Sequence, residues 1–114
     1  SSERNYTPTP ALVQALQKAT GNTQLVVFGG TWCEDSHFIL PKLFKAQSQA
    51  GFPDNAVTFF GVDRNKKTIG GITNALKITN VPTIIVMKDG KEVGRVVEYG
   101  KSGQWDNELA ALLQ

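Results

Sequence analysis

The chain has one cysteine, and it stands in Trp32-Cys33-Glu34-Asp35-Ser36-His37, directly after an apolar run that closes on Gly29-Gly30. Thiolate is the form of cysteine that attacks disulfides and binds metals. The position favours it, because Cys33 opens a helical pattern, and unpaired N–H groups and the positive end of the macrodipole gather at a helix N-terminus. Ser36 lies one turn on, where its hydroxyl can donate to the sulfur, and His37 helps when protonated. Glu34 and Asp35 suit a helix start but repel a developing thiolate, so only a small downward shift of the thiol pKa is expected. Catalytic candidates are therefore Cys33 and Ser36, with Glu34, Asp35 and His37 as modulators of the thiolate.

A lone thiolate can attack a disulfide and form a mixed disulfide, but it has no neighbour with which to resolve the adduct. Release requires glutathione, another protein thiol or a second cysteine in the substrate. Net two-electron reduction by this chain alone is excluded. The competing bland reading makes Cys33 an inert, part-buried thiol and Trp32 a packing residue. With one cysteine and one histidine the chain builds no His/Cys metal cage by itself, and no cofactor is expected.

These residues need a scaffold, and 114 residues provide a single domain, 1–114, with a core that needs no disulfide staple. The composition is 40% hydrophobic and 19% charged, without an apolar run near the ~20 residues of a membrane span. Net charge is +2 with scattered basic residues, which argues against nucleic acid as a partner. The chain starts at Ser1, which reads as a trimmed N-terminus. The Thr/Asn/Gln-rich character favours an exported, periplasmic mature domain over a cytoplasmic one. A monomer is expected.

Along the chain, residues 1–8 are polar and expected to be poorly ordered. Thr9-Pro10 starts a helix carrying Leu12, Val13, Leu16 and Ala19, which ends at Gly21-Asn22. Gln24 to Phe28 is an apolar strand of the kind buried on both faces. Cys33 to Gln49 is the second helix, with Phe38, Ile39, Leu43, Phe44 and Ala46 as buried positions and Pro41 as a kink. Val57 to Val62 is a strand, residues 63–67 a charged turn, and Thr68 to Leu76 a short helix. Thr83 to Met87 and Glu92 to Val97 form a hairpin about Asp89-Gly90. Ser102 caps a last helix with Trp105, Leu109, Leu112 and Leu113. The order α-β-α-β-α-β-β-α predicts an α/β fold: a central mixed sheet of about four strands with helices on both faces.

That order resembles the thioredoxin superfamily, and the resemblance runs from about Leu12 to Leu113. Its specific parts are Trp32-Cys33-Glu34-Asp35-Ser36, Pro41, Val62-Asp63, Val81-Pro82-Thr83 and Asp89-Gly90. The combination looks like bacterial thioredoxin-like proteins with a Trp-Cys-x-Asp-Ser motif. The resemblance implies a thioredoxin fold, a cis Pro82 facing the reactive cysteine, and a cleft that holds an extended peptide by strand addition. It implies further that Val81 supplies backbone groups to the substrate, and that Trp32 and Thr83 flank the cleft.

Where thioredoxins carry a resolving cysteine this chain has Ser36. Where they carry a buried aspartate it has Val27, and where they often place a lysine it has Phe59. The thiol and its proton-transfer apparatus are missing together, which favours a naturally monothiol protein over an engineered trapping variant. Two functions compete. One is monothiol redox chemistry on protein or small-molecule disulfides and thiols, isomerase-like or glutathione-dependent. The other is a redox-inactive module that holds an extended peptide. Iron–sulfur binding and peroxidase chemistry fit less well, since Gly30 stands where peroxiredoxins have threonine.

Overall fold

The computed structural model describes residues 9–19, 21–30, 34–62 and 76–114, with residues 34–37 described by backbone alone. Its elements are α1 (Pro10–Lys18), β1 (Thr23–Gly29), α2 (Glu34–Ala50), β2 (Val57–Gly61), β3 (Thr83–Lys88), β4 (Lys91–Val97) and α3 (Trp105–Leu113), with a 3-10 turn at Asp54–Ala56. The sheet order is β2-β1-β3-β4. β1 pairs parallel with β2 and antiparallel with β3, and β3 pairs antiparallel with β4. This is the thioredoxin fold. The turn expected over 63–67 and all of the helix expected over Thr68–Leu76 except Leu76, which lies in a turn, fall outside the described residues, as does the N-terminal segment 1–8.

Local chemistry accounts for the element ends. The Thr9 hydroxyl accepts from the Leu12 amide at 3.4 Å, and Pro10 occupies the first turn of α1, where no N–H is needed. Asp89 and Gly90 both take left-handed φ, +55° and +77°, as a two-residue hairpin of the primed type demands. The Lys88 ammonium donates to the Leu113 carbonyl at 3.1 Å, satisfying a carbonyl at the end of α3.

β1 explains its apolar run: Leu25, Val27 and Phe28 are all buried, on alternating faces of a central strand. Leu25, Val27, Ile84, Val86 and Val96 face the three described helices, which bring Leu12, Leu16, Ile39, Leu43, Trp105 and Leu109. On the other face Phe28 and Ile85 pack with Val62, Ile78 and Val81. Phe28 and its register partner Phe60 stack at 5.1 Å between ring centroids.

Two expectations about α2 and α3 are corrected. Phe38 and Phe44 are not core residues: they are 42% and 37% exposed. The stripe of α2 that meets the sheet is Ile39–Leu43–Ala46, and the two phenylalanines flank it, in ring contact with Tyr99 and Phe59 respectively. Ser102 does not cap α3 either, since the N-cap is Gln104, which makes no side-chain cap bond. Ser102 instead donates its hydroxyl and its amide to the Glu108 carboxylate, which also accepts from the Lys101 amide at 3.1 Å. A carboxylate one turn into the helix thus reaches back to the amides of the entry loop, not to those of the helix's first turn.

These Ser102 bonds hold the Glu108 carboxyl below its ordinary pKa. A carboxyl with a depressed folded pKa stabilises the fold above its unfolded pKa and loses that contribution as pH falls through the folded value. Glu108→Gln is therefore expected to melt at a lower temperature than the parent at pH 7, with the gap closing below about pH 4. Thermal melts at the two pH values check this. Gly100, at φ +80°, has no room for a Cβ beside the Glu108 carboxylate. Gly100→Ala should cost more than ~1 kcal/mol in urea unfolding.

Candidate functional site

β1 ends at Gly29 and α2 begins at Glu34, with Gly30 buried between them. Trp32 and Cys33 lie outside the described residues. Glu34, Asp35, Ser36 and His37 form the first turn of α2. The amides of that turn belong to the segment that directly follows Cys33 in the chain.

The sheet register brings the second half of the site to the same end. Thr83 stands opposite Phe28 in the antiparallel β1–β3 pair, so the chain just before Thr83 lies beside the C-terminal end of β1. There the Val81–Pro82 bond is cis. Gly61 of β2 stands beside Gly29, and the Val62 amide donates to the Gly29 carbonyl at 2.9 Å, so a third strand end closes the group. This placement at strand ends is where open α/β sheets bind ligands.

Val81, Pro82 and Thr83 are all buried. The Thr83 hydroxyl donates to the Asn80 carbonyl at 2.6 Å, across the turn that contains Pro82. The Pro82 carbonyl accepts from the Glu98 amide at 2.7 Å, which extends the β3–β4 pairing by one bond past Val97. Glu98 takes a left-handed φ of +54°, turning the chain so that Tyr99 meets Phe38 of α2 at 6.0 Å between rings. The loop after β4 therefore touches both the cis-proline segment and the second turn of α2.

The two positions in β1 and β2 that the sequence singled out are apolar. Val27 and Phe59 are direct neighbours in the β1–β2 register. Val27 is fully buried among the side chains that face the helices. The Phe59 ring lies over Gly29, where an added Cβ would come within 3.3 Å of it and 2.5 Å of Leu40. Neither position offers a proton.

Three features were not anticipated from sequence. Lys42 is buried, with its ammonium 3.6 Å from the Phe38 ring centroid and donating to the Phe38 carbonyl at 3.1 Å. This is a cation–π contact that ties the exposed ring to its own helix. Its signal was the Phe-x-x-x-Lys spacing of one helical turn. The second is the left-handed Glu98, for which no local sequence signal exists.

The third is the Glu92–Arg95 pair, whose guanidinium forks onto the carboxylate at 2.8 and 2.7 Å. In a regular strand residues three apart point to opposite faces. Here the pairing shifts between Val86 and Met87, leaving Val93 as an extra residue on β4, and the bulge returns Glu92 and Arg95 to one side. The Arg95 hydrogen bonds hold the Glu92 carboxyl below its ordinary value, against a smaller upward push from burial.

A family model described as thioredoxin matches residues 2–106. The chain is 35% identical to rice thioredoxin H2-2 over 81 residues, spanning 70% of this chain and 56% of that protein. It is 34% identical to Staphylococcus aureus thioredoxin over 83 residues, 72% of this chain and 74% of the relative. The crystal structure of Fasciola hepatica thioredoxin superposes with a TM-score of 0.57 at 23% identity, covering 88% of this chain and 89% of that one.

The apolar pair at Val27 and Phe59 generates a test. Val27→Asp should destabilise the fold by about 3–5 kcal/mol at pH 7, as expected of an unpaired buried charge. Burial raises the folded pKa of such a carboxyl, so the loss should shrink as pH falls towards the unfolded value near ~3.9. Urea unfolding at pH 7 and pH 4 measures both.

Proposed function

Since the chain belongs to the thioredoxin family, we propose that it is a single-thiol member that engages disulfides and thiols of protein partners through Cys33 and forms no internal disulfide. The observation that carries this reading is the Val81–Pro82 segment at the sheet end where β1 runs into the Cys33 motif. In this reading the Val81–Pro82 loop receives an extended chain by strand addition beside the Cys33 motif. Trp32, Val81, Pro82 and Thr83 form the substrate side in this reading, and Cys33 and Ser36 the chemical side.

The step is thiol–disulfide exchange. The Cys33 thiolate attacks one sulfur of the partner disulfide, a new S–S bond forms to Cys33, and the other partner sulfur leaves as a thiolate that takes a proton from water. No net oxidation occurs. Ser36 has no sulfur with which to expel the partner, so a second thiolate completes the cycle by attacking the partner sulfur of the mixed disulfide and releasing Cys33 as thiolate. That second thiolate is a different cysteine of the partner, which forms a new partner disulfide and makes the outcome isomerisation, or a small thiol such as glutathione, which stays joined to the partner as a mixed disulfide. The role assigned to Ser36 in this proposal is hydroxyl donation to the thiolate. The chain from 1 to 114 acts as one domain in this proposal. No helix among the described residues is long and apolar enough to cross a membrane.

The apolar Val27–Phe59 pair favours a second reading, in which the thiol is retired and the same cleft holds an extended peptide without chemistry.

The rate of Cys33 alkylation against pH separates the two readings. Monothiol chemistry predicts an apparent pKa below the ~8.5 of a free cysteine and faster attack on a small disulfide than an ordinary thiol shows. An ordinary or raised pKa with ordinary rates, together with peptide binding that survives Cys33→Ala, would support the binding module instead.

A further inference from the structure

Arg95 ties the chain segment that enters the cis-proline turn to β4. Its Nε and Nη2 hold the Glu92 carboxylate at 2.8 and 2.7 Å. Its Nη1 donates to the Leu76 carbonyl at 3.0 Å and to the Lys77 carbonyl at 3.5 Å. Lys77 takes φ +57°, a conformation that side chains other than glycine disfavour, so this turn gains from an external hold. Five residues on comes Pro82, whose carbonyl is held by the Glu98 amide. The segment from Leu76 to Pro82 is thus fastened to one strand and its extension at two points: by the Arg95 side chain at entry and the Glu98 backbone at exit.

Every part of the entry fastening is specific to arginine. A planar fork engages both carboxylate oxygens, and a further N–H reaches the carbonyls, which a lysine ammonium on a flexible stem cannot reproduce together. The fork is possible only because the Val93 bulge puts Glu92 and Arg95 on one side of β4. An isolated surface ion pair would contribute little. Here the pair orients a group that also binds backbone six residues before the cis peptide.

We propose that Arg95, oriented by Glu92, is a positioning residue that sets the placement of the Val81–Pro82 segment, and through it the rate at which Cys33 engages an extended disulfide-bearing peptide. The second clause rests on the single-thiol reading; the first does not.

Arg95→Lys and the milder Glu92→Gln, made in the full chain, test it with three readouts: amide hydrogen exchange at Glu98, alkylation of Cys33 by iodoacetamide, and exchange of Cys33 with a disulfide-linked extended peptide. Loosening the turn should speed Glu98 exchange by about tenfold in Arg95→Lys, as a local opening does. Peptide exchange should slow by about three- to tenfold from misplacement of the bound chain, with alkylation unchanged. Glu92→Gln should shift both in the same direction by less. Unchanged Glu98 exchange would overturn the positioning role, and so would an equal slowing of alkylation and peptide exchange. If parental Cys33 reacts with neither reagent faster than a free thiol, the single-thiol reading fails, and the positioning role is then judged by Glu98 exchange and by affinity for the reduced peptide.

Discussion

The antiparallel register of β3 on β1 is the constraint on which the rest of this structure depends. With Thr83 opposite Phe28, Leu25, Val27, Ile84 and Val86 all face the helices, while Phe28 and Ile85 face the other way. A slip of one residue would turn each of these side chains to the wrong layer, so burial on both faces holds the register firmly. The same pairing delivers the Val81–Pro82 turn to the end of β1, next to where α2 starts. Core packing and site assembly are in this sense a single event. The β3–β4 pairing adds the Glu98–Pro82 bond to it and brings Tyr99 against Phe38.

The chemistry available at that end is shaped by the strands that lead to it. Val27, fully buried, and Phe59, half-exposed, are paired across β1 and β2 and offer neither a carboxylate nor an ammonium there. An apolar pair carries no desolvation cost for a buried charge, which suits a stable core. Ser36 stands in the same chain in place of a second thiol. What remains is geometry: a helix start, a cis-proline turn, and fastenings from β4 that hold the turn in place.

Much of the fold was legible because its signals are local. Thr9-Pro10 marks a helix start by one side-chain acceptor and one missing donor, and Asp89-Gly90 marks a hairpin because both residues tolerate left-handed φ. The unbroken apolar run of β1 announced a strand buried on both faces. Phe38 and Phe44 misled because helical spacing gives the direction of a side chain but not the width of the layer it meets. The sheet under α2 is filled by Ile39, Leu43 and Ala46, and the larger rings are displaced to its margins. Ser102 misled for a related reason: a hydroxyl before a helix is a good cap, but Glu108 offers a charged acceptor that competes for it.

The sequence by itself determined the family, the order of elements among the described residues, the presence of one thiol and the absence of a second. These are properties of residue type and spacing, which the chain carries whether folded or not. Tertiary structure alone decided how the site is held. The Val93 bulge, which depends on how two strands pair, turned residues three apart into a fork. The meeting of Leu76 with Arg95, and of Pro82 with Glu98, joins positions 16 to 19 residues apart that no local pattern links. Such contacts follow from strand register and the path of the chain between strands, and both exist only once the sheet has formed.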